Sequence, residues 1–317
     1  MKLFSIIIPV YYNEPNLPDT IPALLNLEAE LQDYELELIF VDDGSGDYSL
    51  AILREFQNKF PGKIKIIKLT RNFGSMAAIQ AGLAHFTGDC VGIISADLQD
   101  PPELFIEMIR HWENGSKVVC GVRSQREESG LSRFLSNQYY ALIRKFAIHH
   151  YPKGGFDFLL ADREVIVEIN KINEKNTNVM ALIFWLGYEP VLIPYVRKAR
   201  QKGTSRWTLS KKIKLFIDTF VAFSYFPIRL LSVIGFLVAG GAFIYGVFIF
   251  LSWLFVGIEV LGWVPIMIVL TITSGIQMTM LGILGEYLWR TLDEARARPS
   301  FVIDEIFDQT KQGEGED

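Results

Sequence analysis

Cys90-Val91-Gly92-Ile93-Ile94 runs directly into Ser95-Ala96-Asp97-Leu98-Gln99-Asp100-Pro101-Pro102-Glu103. A short apolar run, a carboxylate-bearing turn and a proline-started helix follow one another. That order puts an anionic group at the carboxyl edge of a sheet, where open α/β sheets bind ligands and where a divalent cation can meet a diphosphate. An Asp after a strand is also a common helix N-cap, and Pro101-Pro102-Glu103 is good helix-start chemistry by itself. The surrounding chain decides between the two.

On both sides of this stretch the pattern alternates. Strand-like runs at 4–9, 36–42, 64–69, 90–94 and 117–122 are separated by helical patterns at 17–31, 48–60, 76–86 and 102–114. The fold class expected is α/β, with a largely parallel sheet and helices on both faces. Polar residues cluster after successive strands: Tyr11-Tyr12-Asn13-Glu14, Asp42-Asp43-Gly44-Ser45, Arg71-Asn72-Phe73-Gly74 and Ser95-Ala96-Asp97. Parallel strands bring these ends to one edge, and four clusters in series are more than caps require, although Asp47 reads as a cap for the helix that follows it. No Walker-type loop and no G-x-G-x-x-G follows the first strand, which excludes the usual ATPase and dinucleotide signatures. Asp42 or Asp43 can accept hydrogen bonds from a base or ribose, and Asp97 can hold a hard cation that bridges phosphate oxygens.

These residues resemble the inverting family 2 glycosyltransferases with the GT-A fold. Within them they are similar to the polyprenyl-phosphate glycosyltransferases typified by dolichyl-phosphate mannose synthase and the bacterial bactoprenol glucosyltransferases. The matching segments are Ile8-Pro9-Val10-Tyr11, Val41-Asp42-Asp43-Gly44-Ser45, Arg71-Asn72-Phe73-Gly74 and Ala96-Asp97-Leu98-Gln99-Asp100-Pro101-Pro102-Glu103. The resemblance extends over nearly the whole chain. It implies transfer of a hexose-type sugar from a nucleotide-sugar donor, UDP-linked, to a polyprenyl phosphate. It also implies that Pro9, Tyr11, Glu14, Asp43, Arg71 and Asn72 line the donor pocket with Asp97. Asp97 and Gln99 would serve the diphosphate and a divalent cation, Mg2+ or Mn2+, and Asp157 would lie near the acceptor. Three positions depart from the family pattern: Ser95 where Asp is usual, Leu159 where Arg is usual, and Asn178, near which a basic residue is common.

At 317 residues, half of them hydrophobic, the chain is too apolar for an ordinary soluble domain, yet its 21% of charged residues is too many for a purely membrane protein. A soluble domain joined to a membrane part follows. The net charge of −5 argues against a general nucleic-acid partner. The two cysteines, Cys90 and Cys120, lie in strand-like runs and read as small buried residues.

Residues 129–150 read as a helix, packed on the domain or dipping into the bilayer surface. After Gly154-Gly155-Phe156-Asp157-Phe158 come helical stretches at 163–173 and 180–185 and a strand at 189–196. The segment Arg197-Lys198-Ala199-Arg200-Gln201-Lys202-Gly203-Thr204-Ser205-Arg206-Trp207 is the most basic in the chain. Arg197, Arg200, Lys202, Ser205 and Arg206 read as a clamp for the acceptor phosphate, with Arg200 joining Asp97 and Asp157 as the catalytic set.

Residues 228–255 and 258–284 are apolar runs, and about 26 residues of helix cover roughly 39 Å, enough to cross a bilayer. Glycines on both runs offer close-packing surfaces within the chain or between copies, so a homo-oligomer is possible. The connecting loop carries Glu259 and no Lys or Arg, whereas Lys211, Lys212, Lys214 and Arg229 precede the first run and Arg290, Arg296 and Arg298 follow the second. The positive-inside rule then predicts a multi-pass protein of the inner (cytoplasmic) membrane, with both termini and the catalytic domain cytoplasmic. The organisation expected is a transferase domain at 1–208, a juxtamembrane amphipathic helix at 209–226, two spans within 227–289 and a cytoplasmic tail at 290–317.

Two rivals use the same residues. A processive polysaccharide synthase would show a Gln-x-x-Arg-Trp signature, and Gln201 stands too far from Arg206-Trp207 for it. A catalytically silent nucleotide-sugar-binding membrane protein is motivated by Ser95 and Leu159.

Overall fold

The computed structural model describes residues 1–123, 138, 140–148, 151–152, 156, 158–172, 174, 178–198, 223–256 and 262–309. Its contacts divide into two units, Met1–Phe220 with Pro299–Asp317, and Val221–Arg298.

The first unit opens with β1 (Lys2–Val10), α1 (Leu17–Leu25), α2 (Leu27–Glu30), β2 (Tyr34–Asp42), α3 (Ser49–Lys59) and β3 (Ile64–Leu69). It continues through α4 (Ser75–Ala84), β4 (Cys90–Ile93), α5 (Leu104–Glu113), β5 (Val118–Arg123) and β6 (Phe158–Asp162). Then come α6 (Arg163–Lys171), α7 (Val179–Trp185) and β7 (Val191–Tyr195), and β8 (Ile303–Phe307) returns from the far end of the chain. The strands form one 8-stranded sheet in the order β7-β5-β6-β4-β1-β2-β3-β8.

β1 lies at the centre, parallel to β2 on one side and to β4 on the other. Its run Ser5-Ile6-Ile7-Ile8 is buried on both faces, as expected of a strand covered by helices on each side. Phe4, Phe105 and Phe158 pack edge to face beneath it, with ring centroids 5.1 and 4.6 Å apart. A Cβ at Gly92 would lie 2.5 Å from the Phe105 ring, so this aromatic cluster requires glycine there.

The sheet is mixed rather than wholly parallel. β6 runs antiparallel to β4 and β5, and β8 antiparallel to β3. The stretch expected as one helix over 17–31 is broken at Asn26 into α1 and α2. The larger correction concerns 290–317, expected to be a tail. Residues up to Ala295 continue a helix, and Ile303–Phe307 is the edge strand of the catalytic sheet, with Thr70 N donating to Val302 O at 3.0 Å. Its sequence, Ile-Asp-Glu-Ile-Phe, is short and charged, which protects a sheet edge and also hides the strand from pattern reading. Gln57 Nε2 donates to Phe307 O at 2.7 Å, and the Arg54 guanidinium lies 3.8 Å from the Phe307 ring centroid.

The second unit is a pair of long helices, α8 (Phe226–Val256) and α9 (Trp263–Ala295). Phe226–Ser252 and Pro265–Ala295 have mean hydropathies of 2.3 and 1.8, and both are long and apolar enough to cross a membrane. Ser232, Thr271 and Thr279 on these helices each donate their hydroxyl to a carbonyl one turn back.

Candidate active site

The carboxyl ends of β4, β1, β2 and β3 are neighbours, and the strand order reverses at β1, so the loops after these strands share one crevice. Side chains stitch the loops together. Tyr12 N donates to Ser45 Oγ at 3.0 Å, Asn13 N to Ser49 Oγ at 3.0 Å, and Tyr48 N to Glu14 Oε2 at 3.2 Å. Asp47 accepts from Ser49 N at 3.1 Å through one oxygen and from Glu14 N at 3.3 Å through the other; it stands one residue before the N-cap of α3, which is Tyr48. Gly44 has φ +70°, and a Cβ there would meet the Arg71 carbonyl carbon at 2.7 Å, so only glycine lets the second and third loops approach this closely. Pro9 and Tyr11 are half-buried at the end of β1, while Arg71 and Asn72 are exposed, with the Arg71 guanidinium 3.9 Å from the Phe73 ring centroid.

Asp42 and Asp43 are both buried, and the structure gives them different work. Asp43 accepts from Phe73 N at 2.7 Å and Gly74 N at 2.9 Å, one oxygen each, and so anchors the Arg71–Gly74 loop. Asp42 accepts from Ser45 N at 3.1 Å through Oδ1, whereas its Oδ2 is buried with no hydrogen-bond partner. Burial raises the pKa of both carboxyls, and the backbone N–H groups partly oppose it. The residue pattern alone left open which of the pair faces a ligand, and the resemblance named Asp43; both Asp43 oxygens are engaged by the Phe73 and Gly74 amides, and the open acceptor belongs to Asp42.

In the organising turn, Asp97 does not cap the next helix, because α5 begins at Leu104 with Glu103 at its N-cap. Asp97 Oδ1 accepts from Ser95 Oγ at 2.7 Å and from Gln99 N at 3.3 Å. Leu98 between them has φ 51°, a left-handed conformation that costs energy for a branched side chain and clusters at functional sites. Thr20 Oγ1, on α1, donates to Ala96 O at 2.9 Å and holds the turn from below. Gln99 Nε2 donates to Lys198 O at 3.2 Å, which leaves Oε1 as the free end of that amide. Asp97 and Gln99 therefore present an all-oxygen donor pair, the chemistry a hard divalent cation requires. Among the described residues no group of three or more His, Cys, Asp or Glu could hold a metal ion; hard cations on one or two protein oxygens take substrate phosphates and water as further ligands.

Behind the turn lies a group that sequence reasoning missed. Asp100 is fully buried; Tyr195 OH donates to its Oδ1, Ser95 Oγ lies 3.1 Å from its Oδ2, and Arg197 Nε stands 3.4 Å from Oδ1. Arg123 also hydrogen-bonds Tyr195. Burial and then the Asp100 charge raise the Tyr195 pKa, which keeps the phenol a donor. Asp100 was legible only as part of the turn, and nothing in the apolar alternation of 191–195 marked Tyr195. Arg197, expected in the acceptor clamp, forms an ion pair with Asp100, while its Nε is buried with no hydrogen-bond partner. Asp157, Arg200, Lys202, Ser205 and Arg206 lie outside the described residues, as do Glu259, most of the helices expected at 129–150 and 209–226, and the end of the chain from 310. The departures at Leu159 and Asn178 have structural reasons. Leu159 is a fully buried residue of β6 paired with Ile93 and Cys120, and Asn178 Oδ1 caps α7 by accepting from Met180 N at 3.1 Å. Cys90 and Cys120 are buried and free.

Comparison with known proteins gives a consistent set. The profile of Glycosyl transferase family 2 matches residues 5–171. The uncharacterized glycosyltransferase YkcC of Bacillus subtilis is 36% identical over 305 residues, covering 96% of this chain and 94% of that protein. The prophage bactoprenol glucosyl transferase homolog of Escherichia coli is 34% identical over 307 residues, 96% of this chain and 99% of that protein. The bactoprenol glucosyl transferase of Shigella phage SfX is 33% identical over 304 residues, again 96% of this chain and 99% of the relative.

Proposed function

The chain belongs to glycosyl transferase family 2, and on that premise we propose that it moves a hexose from a UDP-linked donor to a polyprenyl phosphate with inversion at the anomeric carbon. The observation that carries this is the oxygen-only turn of Asp97 and Gln99 at the crevice where four loops meet. The full-length similarity to bactoprenol glucosyl transferases supports the lipid acceptor.

The nucleotide lies along the loops after β1, β2 and β3. Asp42 Oδ2 is set aside for a donor group of the base or ribose, while Asp43 keeps the Arg71–Gly74 loop in place. Pro9, Tyr11, Glu14, Arg71 and Asn72 complete the donor side. Asp97 and Gln99 would hold a divalent cation, which would supply positive charge against the negative charge that develops on the departing diphosphate. The acceptor, a phosphate monoester with a second pKa near 6, is already an anionic nucleophile at neutral pH. Its oxygen attacks the anomeric carbon from the face opposite the diphosphate, one C–O bond forming as the other breaks, and no proton has to be removed from the acceptor. Asp157 orients the acceptor, and Arg200, Lys202, Ser205 and Arg206 receive its phosphate.

The catalytic domain faces the cytoplasm in this reading. β3 and β8 are paired in one sheet and the two apolar helices lie between them in sequence, so an even number of crossings separates the two strands. The Lys and Arg that flank both helices support a cytoplasmic position for that side under the positive-inside rule.

Purified full-length protein, assayed with a panel of nucleotide sugars and undecaprenyl phosphate with and without Mg2+ or Mn2+, tests the proposal. The expected product is a lipid-linked monosaccharide formed only with a divalent cation. Nucleotide binding without transfer to any lipid phosphate would sink it in favour of a silent binder, and a polymeric product in favour of a synthase.

A further inference from the structure

Asp100, Tyr195 and Ser95 belong to none of the donor, cation or acceptor sets above, yet they form the tightest polar group at this edge. Asp100 is wholly inaccessible to solvent. Its partners come from three places: Ser95 from its own turn, Tyr195 from β7, and Arg197 from the residues that follow β7. A buried carboxylate stripped of water is costly unless each oxygen is engaged, so the group has to be assembled as a whole.

Two features tie it to the cation turn. The Ser95 hydroxyl lies 2.7 Å from Asp97 Oδ1 and 3.1 Å from Asp100 Oδ2, but it carries one proton and can donate to one carboxylate at a time. With Asp97 Oδ1 serving a cation, the Ser95 proton would turn towards Asp100. Gln99, in turn, is held from both ends by one residue: Lys198 N donates to Gln99 O at 2.9 Å, and Gln99 Nε2 donates to Lys198 O. Arg197 and Lys198 open the basic segment. The residues that hold the cation are therefore braced by the first residues of the stretch that receives the acceptor phosphate.

We propose that Asp100, with Tyr195 and Ser95, is a positioning assembly that fixes Asp97 and Gln99 for the cation and couples that geometry to the Arg197–Lys198 strap. It rests on the reading of Asp97 and Gln99 as the cation turn. Outer residues of this kind typically change metal affinity about 10-fold to 100-fold when lost. Ser95 then matters as a hydroxyl, not as a weak ligand standing where the family usually has a carboxylate.

The test is Mn2+ binding to the full-length protein in detergent with UDP present, followed by the EPR signal of free Mn2+, alongside melting temperature and KM for undecaprenyl phosphate. Tyr195→Phe removes one hydroxyl and should weaken Mn2+ binding about 10-fold and raise the acceptor KM, with a lowered melting temperature because buried Asp100 Oδ1 loses a hydrogen bond. Ser95→Ala should do the same to Mn2+, and Ser95→Thr should restore it. Wild-type Mn2+ affinity in both Tyr195→Phe and Ser95→Ala overturns the proposal, as does failure of Ser95→Thr to recover what Ser95→Ala loses. Absence of UDP-dependent Mn2+ binding in the wild type is a different result, and removes the cation turn itself.

Discussion

Glu37 and Asp42 stand towards opposite ends of one strand, both buried, and they are treated differently. At the amino edge Glu37 accepts from Lys65 Nζ at 2.6 Å, from Thr87 N at 2.9 Å and from Ser5 Oγ. Lys65 also reaches His85 O at 3.1 Å and Asp308 at 3.5 Å. A cleft of about 820 Å3 opens at that edge, lined by Glu37, Lys65, Thr87 and Asp308, so hollowness alone does not mark the site. At the carboxyl edge Asp42 Oδ2 has no hydrogen-bond partner, Leu98 and Tyr12 hold left-handed backbones, and Ser95 has one proton for two carboxylates. Satisfied charges build the sheet, whereas unsatisfied ones wait for a ligand, because burying an unpaired polar atom is tolerated only where binding makes up the loss.

The largest expected effect is at the carboxyl edge. Asp97→Ala should lower transfer about 10^3-fold, the loss typical of removing a group that stabilises developing charge, while the melting temperature stays put. A radiolabelled transfer assay beside a thermal melt measures both. Substantial activity in the variant would mean that this turn does not serve the cation.

Lys65→Met reverses the pattern. It leaves Glu37 buried without its counter-charge, and breaking a buried pair typically costs about 3–5 kcal/mol. Stability should fall sharply while transfer per folded molecule is kept. Adding Glu37→Leu should recover much of the loss, since the uncompensated charge goes with it. Loss of turnover in folded Lys65→Met would show the amino edge to be functional too.

What the sequence showed and what it hid follow the same division. The hydrophobic run in 4–9 is a local property of a buried parallel strand, and it placed β1 correctly. The clusters after the parallel strands were legible because a parallel sheet has only one carboxyl edge. β8 was not, since its partner β3 lies far away in sequence and its charged residues resemble a loop. Tyr195 was hidden for a related reason: in an apolar alternation a buried Tyr reads as packing, and only the structure shows Asp100 opposite its hydroxyl.

Asp42→Asn sharpens the comparison through pH. Ser45 N–H fixes the accepting oxygen, so the amide nitrogen must take the place of Oδ2 and turn an acceptor into a donor. Donor binding should weaken about 10-fold, roughly 1.4 kcal/mol, while stability at neutral pH does not fall. The Asp42 pKa is raised in the folded protein above its ordinary 3.8. Its favourable contribution is therefore complete below that value and is lost as pH rises through the folded pKa. The asparagine variant lacks this loss, so its melting temperature should gain on the wild type over that window and level off above it. Asp43 is shifted the same way, in part by the Asp42 charge that the variant lacks, so its change adds to the gain in the same direction. A melting difference independent of pH would mean that Asp42 is satisfied after all.

The smallest effect concerns the strand that joins the two edges. β8 begins beside the donor loop, where Thr70 N meets Val302 O, and ends at the amino edge, where Asp308 meets Lys65. Asp308→Asn removes one charge from a lysine that keeps Glu37 and His85 O, so the cost should be about 1 kcal/mol, as for a weak ion pair. If the edges are independent, UDP affinity measured by calorimetry should stay within about twofold, well under the factor of ten that 1.4 kcal/mol represents. A parallel fall in UDP affinity and stability would instead make β8 a strap that transmits strain from one edge to the other. The division between a structural edge and a binding edge would then be one of degree, set by how firmly this strand is held at its far end.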